Sequence, residues 1–451
     1  MFKRVLVANR GEVAVRLIRA LHENDAEAVA VYSTADRDAL HVRLADRVVC
    51  VGPPQASESY LKIPSLIAAA TTTGCEAVHP GWGFLAENPA FVEACADNDL
   101  VFVGPSSGVM ARMGDKVQAK AEMRAAGVPL VPGTERSTNV EGAREAADEV
   151  GYPVLLKASA GGGGKGMRLV RSREALEAAF TTAALEAEAA FGDGSLYLEK
   201  AVSPARHVEI QVLADGDGGV LTLGERECSI QRRHQKLIEE SPSPALDAGT
   251  REAMEASAER ACLAIGYRNA GTFEFLLGPD RSFYFIELNA RLQVEHPVTE
   301  MVTGIDIVRE QLRIAAGEEL ERTGRAERRG HAIEVRLNAE DPRNEFAPSP
   351  GTVTRFRPPL GPGVRFDTYV EDGAEVPPHY DSLLGKLIVW DASRPEAIER
   401  ALRALGELQV DGLATTRELA VDILRGEEFG SGRYSTDYLA EAAERLPAIV
   451  G

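Results

Sequence analysis

Two acidic residues in one hairpin-like segment have the types and spacing to do chemistry. Runs of alternating apolar and polar residues flank a Gly-Pro-Asp turn that begins at Gly278, a pattern that predicts a β-hairpin. If Gly278 pairs with Phe283 around a four-residue loop, Glu274 lies directly opposite Glu287. Carboxylates opposed in this way repel each other, and a hard cation such as Mg²⁺ between them would turn the repulsion into binding. The pattern therefore predicts a magnesium site, with a solvated hairpin face as the alternative.

The same strand extends this polar wall. Period-two alternation places Asn289 and Arg291 on the face of Glu287, while Ile286 and Leu288 point to the core. We therefore expect metal and anion ligands along one side of the hairpin.

Two further polar segments add to the candidate site. Residues 291–297 read Arg-Leu-Gln-Val-Glu-His-Pro and follow the metal set directly. Residues 225–236 mix acidic, basic, amide and histidine side chains with a single isoleucine, which is unlike a core strand. A solvated charged face is the alternative for the second segment.

A glycine run at 161–164 separates two strand-like segments, 153–157 and 167–170. Consecutive glycines let backbone N–H groups approach phosphate oxygens, and their freedom suits a loop that closes over a nucleotide. Lys165 is followed by Gly166, so the run is not a Walker motif. A flexible linker is the alternative, but linkers rarely lie between a strand and another apolar segment.

The elements that must position these residues alternate between strand and helix in the first hundred positions. Apolar strand patterns lie at 5–8, 29–32, 77–78 and 101–104, and an apolar stripe at helical spacing follows the first of them. This alternation predicts a parallel sheet covered by helices, Rossmann-like in type. A dinucleotide site is disfavoured because the first turn reads Asn-Arg-Gly-Glu rather than GxGxxG.

Changes in pattern divide the rest of the chain. We place one boundary near residue 114, before a helix-forming stretch, and another near 324, before short strands and turns that give way to helices from about Pro395. The predicted domains are residues 1–114, 115–323 and 324–451.

Composition excludes several classes of protein. Among 451 residues, 44% are hydrophobic and 26% charged, which is typical of a globular protein, and no apolar run is long enough to cross a bilayer. The net charge of −19 argues against nucleic-acid binding. Five widely spaced cysteines suggest free thiols, and the start of the chain does not resemble a signal peptide, so we expect a cytoplasmic protein without membrane partners.

Five motifs in order along nearly the whole chain resemble biotin carboxylase of the ATP-grasp family, and most closely the biotin carboxylase subunit of acetyl-CoA carboxylase. They lie at 114–116, 160–167, 225–236, 285–297 and 379–386. The resemblance implies an α/β and α+β fold: a Rossmann-like first domain, an ATP-grasp domain with a glycine-rich lid at about 130–203, and a mixed β/α C-terminal domain.

The resemblance also implies a role for each matching residue. The nucleotide would be bound by Lys116, Lys157, Gly163, Gly164, Glu199, Lys200, Ala201, Val202, His207, Gln231, His234, Glu274 and Glu287. Magnesium or manganese, as two ions, would be bound by Glu274, Glu287 and Asn289. Bicarbonate would be bound by Lys236, Arg291, Gln293 and Val294.

The catalytic residues would be Lys236, Arg291, Glu295 and Arg336. Glu295 would remove the bicarbonate proton as the oxygen attacks the γ-phosphate of ATP, giving carboxyphosphate. Its breakdown gives carbon dioxide and phosphate, and the phosphate can deprotonate the ureido nitrogen of biotin. Arg336 would stabilise the charge that develops on the ureido oxygen.

The sequence departs from the family pattern in a few places. Trp82 stands where the family more often has tyrosine, and Ala160 and Lys165 are mild changes in the lid. The chain has no Ala-Met-Lys-Met attachment sequence, so biotin would be a substrate on a separate carboxyl carrier protein, with carboxyltransferase subunits as further partners. Family members commonly form homodimers, and Arg16, Arg19 and Phe366 fall in segments that resemble that interface, with ordinary surface as the alternative.

Two rival functions are kept open. Another ATP-grasp ligase would share the lid and the carboxylates but has no reason to match Arg336 or the segment 379–386. A non-catalytic regulatory homologue should have lost a metal ligand or the base, and each of those positions is filled. The final acceptor, with acetyl-CoA and hence malonyl-CoA and fatty acid synthesis as the first expectation, never touches this chain.

Overall fold

A parallel sheet opens the fold, as the alternation of strands and helices predicts. The computed structural model describes residues 1–134, 138–159 and 167–450. Within them the first sheet has strand order β3-β2-β1-β4-β5, and every pairing is parallel, which confirms the Rossmann-like prediction. Its elements are β1 Arg4–Val7, α1 Gly11–Glu23, β2 Glu27–Ser33, α2 Leu40–Leu44, β3 Arg47–Gly52, α3 Ile63–Thr73, β4 Ala77–His79, α4 Pro89–Ala96, β5 Val101–Phe102 and α5 Ser107–Gly114.

The middle of the chain forms a small antiparallel sheet and five of the nine strands of a large one. The small sheet has order β7-β6-β8. The elements are α6 Lys116–Ala125, α7 Val140–Val150, β6 Val154–Ala158, β7 Met167–Val170, α8 Arg173–Phe191, β8 Leu196–Lys200, β9 Arg206–Ala214, β10 Val220–Arg232, β11 Gln235–Ser241, α9 Ala248–Ile265, β12 Asn269–Leu277, β13 Phe283–Asn289, α10 His296–Thr303 and α11 Ile307–Ala315.

The last part of the chain completes the large sheet. Its strand order is β13-β12-β9-β10-β11-β15-β22-β20, so it continues across the predicted boundary near 324, which stays a prediction. The elements are β14 Gly324–Arg325, β15 His331–Asn338, β16 Glu340–Asp341, β17 Ala347–Pro348, β18 Gly351–Thr352, β19 Arg355–Arg357, β20 Val364–Thr368, β21 Glu375–Val376, β22 Leu383–Asp391, α12 Arg394–Glu407, β23 Gln409–Asp411, α13 Arg417–Arg425, α14 Glu427–Gly430, α15 Tyr438–Ala442 and α16 Pro447–Val450. Among the described helices, none has the length and apolarity needed to span a bilayer.

Alternation along β15 separates the core from the site. Ile333, Val335 and Leu337 pack into a hydrophobic core beneath the large sheet. Glu334 and Arg336 therefore point to the opposite face, because side chains alternate along a strand. The apolar side fixes the strand, and the strand carries polar groups towards the pocket.

The predicted hairpin forms, but its turn pairs differently. Leu277, not Gly278, pairs with Phe283, and the Gly278 N–H donates to the carbonyl of Ser282 at 2.8 Å. A bulge between Phe275 and Glu274 then shifts the register by one residue. Glu274 therefore lies opposite Glu287, as predicted, but the bulge and not the predicted turn pair places it there.

The bulge also corrects a side-chain direction. Ile286 is half-buried and lines the pocket, whereas the sequence pattern predicted that it points to the core. An extra residue on one strand breaks strict alternation at that point. Leu288 lies in the core, as expected.

Candidate active site

A pocket of about 960 Å³ lies where the small sheet, the large sheet and the first segment meet. It brings together predicted residues that are up to 220 positions apart, from Lys116 to Arg336. The predicted residues that line it are Lys116, Lys157, Glu199, Val202, His207, Gln231, His234, Lys236, Glu274, Glu287, Asn289, Arg291, Gln293, Val294, Glu295 and Arg336.

Four predicted residues are not among those lining groups. Gly163 and Gly164 lie outside the described residues. Lys200 turns its ammonium to the carbonyls of Gly151 and Tyr152, at 2.7 and 3.1 Å, and Ala201 is buried. A nucleotide contact by Lys200 or Ala201 would therefore have to use the backbone, and it stays a prediction.

Lys236 is the centre of the buried part of the pocket. Its Nζ donates to Glu209 at 2.6 Å, to Glu274 at 2.9 Å and to Glu295 at 2.5 Å. Burial acts to lower the pKa of Lys236, but the Cys228 thiol and these three carboxylates hold it well above the ordinary value. Lys236 is therefore a fixed cation surrounded by acidic groups.

Glu295 bridges two cations. One oxygen accepts from Lys236, and the other accepts from the Arg336 guanidinium at 2.9 Å. Burial acts to raise the pKa of Glu295, but Lys236 and Arg336 outweigh it and hold that pKa well below its usual range. The carboxylate is ionised at neutral pH and lies between the two predicted anion-binding residues.

The predicted metal ligands converge on the hairpin. Glu274 and Glu287 are cross-strand partners, and Asn289 Nδ2 donates to Glu274 at 2.9 Å. Lys236 and His207 hold the pKa of Glu274 well below its usual range against the effect of burial. The pKa of Glu287 is raised by partial burial and then by the charge of Glu274. Two opposed carboxylates fit a hard divalent cation, whereas Asn289 turns its amide nitrogen to Glu274 and its oxygen accepts from Arg291.

Arg291 is set by its neighbours at the pocket mouth. Its Nε donates to Glu87 at 2.8 Å and its Nη2 to Asn289 Oδ1 at 2.8 Å. Gln293 donates to Glu274 at 3.0 Å, so the predicted bicarbonate residues contact the predicted metal residues directly. A small anion bound here would lie close to the metal.

The small sheet contributes the other end of the pocket. Lys157 and Lys120 both donate to the buried Glu199. Burial acts to raise the pKa of Glu199, but the two lysines lower it overall. Two cations thus share one carboxylate, and a positive charge is left over for phosphate groups. Sequence reasoning missed Lys120, which lies one helical turn after Lys116 and so on the same face of α6.

Two buried groups behind the pocket also escaped sequence reasoning. Arg226 is fully buried and donates to Glu209 at 2.5 Å and to the Gln293 oxygen at 2.9 Å. Glu209 lies opposite Glu274 in the register of β9 and β12. Arg226 stands in the polar segment 225–236, and Glu209 lies two residues after the predicted His207 in a stretch where polar and apolar residues alternate, so the sequence held a signal for both.

Three models of known protein families match this chain in order, and together they cover most of its length. Residues 1–110 match the family model for the biotin carboxylase N-terminal domain, 115–323 that for the carbamoyl-phosphate synthase L chain ATP-binding domain, and 334–441 that for the biotin carboxylase C-terminal domain. A biotin carboxylase of Nostoc sp. is 52% identical over 98% of this chain and 99% of its own length. The chain belongs to the biotin carboxylase family. It is a ligase of that type.

Solved structures of family members have the same fold. The chain resembles a biotin carboxylase from Campylobacter jejuni in complex with β-γ-ATP, with a TM-score of 0.92, 47% identity and coverage of 98% and 99% of the two chains. It also resembles the biotin carboxylase domain dimer of 2-oxoglutarate carboxylase from Hydrogenobacter thermophilus, in complex with MgADP, ADP and bicarbonate, with a TM-score of 0.90, 46% identity and 98% of each chain covered. The predicted three-part α/β architecture is thus that of the family.

Proposed function

We propose that this chain uses MgATP and bicarbonate to carboxylate biotin on a separate carrier protein, through carboxyphosphate. The observation that carries the proposal is the position of Glu295, with one oxygen on Lys236 and the other on Arg336. A base between an anion-binding lysine and an arginine can serve both the bicarbonate and the biotin ends of one pocket.

In the first step Glu295 accepts the bicarbonate proton while the bicarbonate oxygen attacks the γ-phosphorus and ADP leaves. Glu295 is held at a low pKa by Lys236 and Arg336. When bicarbonate takes up part of the hydrogen bonding of Lys236, that hold weakens and the carboxylate becomes a stronger base. Substrate binding would therefore switch on the base that consumes it.

In the second step carboxyphosphate breaks down to carbon dioxide and phosphate. The phosphate takes the proton from the biotin ureido nitrogen, and the nitrogen attacks carbon dioxide. Arg336 stabilises the charge on the ureido oxygen through its planar guanidinium, which Glu239 orients through a 2.5 Å hydrogen bond.

The phosphate groups need cations from two directions. Mg²⁺, or Mn²⁺, would be held as two ions by Glu274, Glu287 and Asn289, and when bound it neutralises charge on the transferring phosphoryl group. Lys116 and Lys157 line the same pocket and would bind phosphate oxygens from the other side. Support comes from the Hydrogenobacter relative, whose structure contains MgADP and bicarbonate.

The remaining nucleotide contacts come from the pocket rim. We assign them to Glu199, Lys200, Ala201 and Val202 as the adenine hinge, to His207, Gln231 and His234, and to Gly163 and Gly164 in a lid within about 130–203. Bicarbonate is assigned to Lys236, Arg291, Gln293 and the backbone of Val294.

Partners and setting follow from the same proposal. The chain would act with a biotin carboxyl carrier protein and carboxyltransferase subunits, as a homodimer, with domains at 1–114, 115–323 and 324–451. The structure of the Hydrogenobacter relative is described as a dimer, which supports this assembly. A cytoplasmic setting agrees with the five free cysteines, because disulfides form in oxidising compartments.

The acceptor that finally receives the carboxyl group is chosen by the partner enzyme. Acetyl-CoA, leading to malonyl-CoA and fatty acid synthesis, is our first proposal. The likeness to a biotin carboxylase domain of 2-oxoglutarate carboxylase favours a keto acid as the second. Purification of the native complex and identification of its carboxyltransferase would separate the two.

Turnover by the purified chain tests the central proposal. ADP release is measured with MgATP while bicarbonate and free biotin are varied separately, and labelled carboxybiotin is trapped. We expect dependence on both substrates and label on biotin. Turnover that ignores both, or no turnover, would favour another ATP-grasp ligase or an inactive homologue.

A further inference from the structure

A buried ion pair lies directly behind the turn that carries Glu295. Lys386, in the middle of β22, is fully buried, and its Nζ donates to the carbonyl of Val294 at 2.8 Å. The same Nζ lies 3.2 Å from a carboxylate oxygen of Glu12, in the first turn of α1. Three segments that are far apart in sequence, the nearest two by 92 positions, therefore meet at one ammonium group.

The ion pair also reaches the pocket wall. The indole N–H of Trp82 donates to the other oxygen of Glu12 at 3.0 Å, and Trp82 lines the pocket. A continuous path thus runs from the wall through Glu12 and Lys386 to the backbone beside Glu295.

The surroundings of Lys386 make its burial costly. Across the sheet it lies opposite Arg336 on one side and Asp367 on the other, and Asp367 is already engaged by both ends of the Arg365 guanidinium. Glu12 therefore supplies the close carboxylate at this lysine. A buried ion pair is rarely the best way to stabilise a fold, since apolar residues of similar volume often do as well. What an apolar side chain could not supply is the hydrogen bond to Val294.

That hydrogen bond fixes a peptide plane in the active site. The carbonyl of Val294 belongs to the same planar unit as the N–H of Glu295, so holding one atom orients the other. Glu295 is buried and immediately precedes α10, whose first residue is His296. Lys236 and Arg336 hold the end of the Glu295 side chain, while Lys386 holds its backbone.

We propose that Lys386 is a positioning residue for the reaction, which sets the Val294–Glu295 peptide so that the bicarbonate-binding backbone and the base keep their relative placement. Glu12 holds the ammonium in place, and Trp82 links this support to the pocket wall. The inference rests on the proposed roles of Val294 and Glu295, and it assigns no contact between Lys386 and any substrate.

The test uses a double variant of the full chain, Glu12→Gln with Lys386→Met. Removing both charges together avoids leaving one of them buried and unpaired, which is the usual reason for such variants to unfold. Glutamine keeps an oxygen that accepts from Trp82. The matched control is Glu240→Gln with Arg394→Met, because that buried pair also joins β11 to the last part of the chain, at 2.6 and 2.9 Å, and neither residue lines the pocket.

Kinetics and hydrogen exchange are measured on both double variants and on the unchanged chain. We expect the Glu12/Lys386 variant to lose on the order of 100-fold in kcat/KM for bicarbonate, as a small misplacement of a base can cause, while the KM for ATP changes less than about twofold. Amide exchange should quicken in the segment 292–296. The control variant should change neither kcat/KM for bicarbonate nor amide exchange at 292–296, even if its melting temperature falls.

The possible outcomes separate this inference from the function on which it rests. Equal losses in both double variants, or unchanged exchange at 292–296, would overturn the positioning role. If the unchanged chain shows no bicarbonate-dependent turnover, the proposed function fails. Faster exchange at 292–296 in the Glu12/Lys386 variant alone would then still establish that Lys386 holds this turn.

Discussion

The two faces of β11 give adjacent glutamates opposite electrostatic environments. Glu240 points away from the pocket and receives hydrogen bonds from His331 and Arg394, which lower its pKa to about 2 against the effect of burial. Glu239 points towards the pocket, where burial and then the charge of Glu295 raise its pKa to about 7 although Arg336 opposes them. Both oxygens of Glu240 accept hydrogen bonds, whereas one oxygen of Glu239 has no donor among the described residues.

The shortage on the pocket face recurs along the site. Burial and neighbouring carboxylates also raise the pKa of Glu209, Glu287 and Glu334, although Lys236 or Lys386 acts against the rise. Neither oxygen of Glu334 has a hydrogen-bond partner among the described residues. We expect a metal ion to supply the missing positive charge where Glu274 and Glu287 face each other, whereas the Glu240 network has its donors within the chain. The difference distinguishes a site that awaits ligands from one that holds the fold.

Removing the base is expected to have the largest effect on the pocket face. Glu295→Gln should lower bicarbonate-dependent kcat by on the order of 10³-fold, because general-base catalysis commonly contributes that much. The glutamine cannot take a proton but retains an oxygen for Lys236 or Arg336. Steady-state ADP release and calorimetric MgATP binding are the measurements. Unchanged turnover, or lost MgATP binding, would contradict the assignment of Glu295 as base.

The sequence predicted the hairpin of Glu274 and Glu287 better than the buried groups behind it. Glu274 and Glu287 are near each other in the chain, so a local register argument could place them opposite each other. That argument assumed the wrong turn pair, and the bulge compensated for the error. A single-sequence pattern shows the turn residues but not an extra residue in one strand.

The support was missed because it is built from long-range pairings. Glu209 meets Glu274 only through the order of strands in the large sheet, and Lys386 meets Val294 across 92 positions. The alternation of His207, Glu209 and Gln211 with apolar residues indicates that these three share one face of a strand, but it does not indicate which strands lie beside it. The resemblance to the family located the residues that would touch substrates, whereas the ion pairs behind them needed the packed structure.

Replacing one lysine at each end of the pocket tests which end depends more strongly on a single cation. Lys236→Met removes the cation shared by three buried carboxylates, and we expect a loss of about 3–5 kcal/mol of stability together with bicarbonate-dependent activity. Lys157→Met should leave the fold nearly unchanged, since Glu199 keeps Lys120, and should mainly raise the KM for ATP.

Thermal melting and substrate titrations distinguish the two lysines. A fall in melting temperature for Lys236→Met alone, with a rise in the ATP KM for Lys157→Met alone, is the expected pattern. Equal destabilisation by both variants would mean that the fold depends on Lys157 as much as on Lys236, and this would contradict the expected contrast.

The pH dependence of stability should differ in sign between the two glutamates of β11. The lowered pKa of Glu240 contributes on the order of 3 kcal/mol above the unfolded pKa, and this contribution is lost as pH falls from about 4.5 to about 2. The raised pKa of Glu239 has the reverse effect, with stability that is complete below about 4.5 and lost as pH rises through about 7.

Glutamine variants measured across pH isolate these contributions. The melting-temperature difference between the unchanged chain and Glu240→Gln should shrink as the solution is acidified. For Glu239→Gln the pH dependence between about 4.5 and 7 should flatten. If both variants show the same slope, the proposed contrast between the two faces is wrong.

The smallest expected effect concerns Glu287, a proposed metal ligand that lines the pocket. Glu287→Gln removes the repulsion with Glu274. The free energy of unfolding of the metal-free chain should therefore rise by less than about 1 kcal/mol. The same change removes a negative ligand, and we expect the Mg²⁺ concentration for half-maximal ADP release to rise roughly tenfold. Glu327→Gln, an exposed glutamate outside the pocket, is the control. An unchanged Mg²⁺ requirement in Glu287→Gln would show that the opposed carboxylates do not bind the ion, and that their repulsion must be offset by Lys236 and His207 alone.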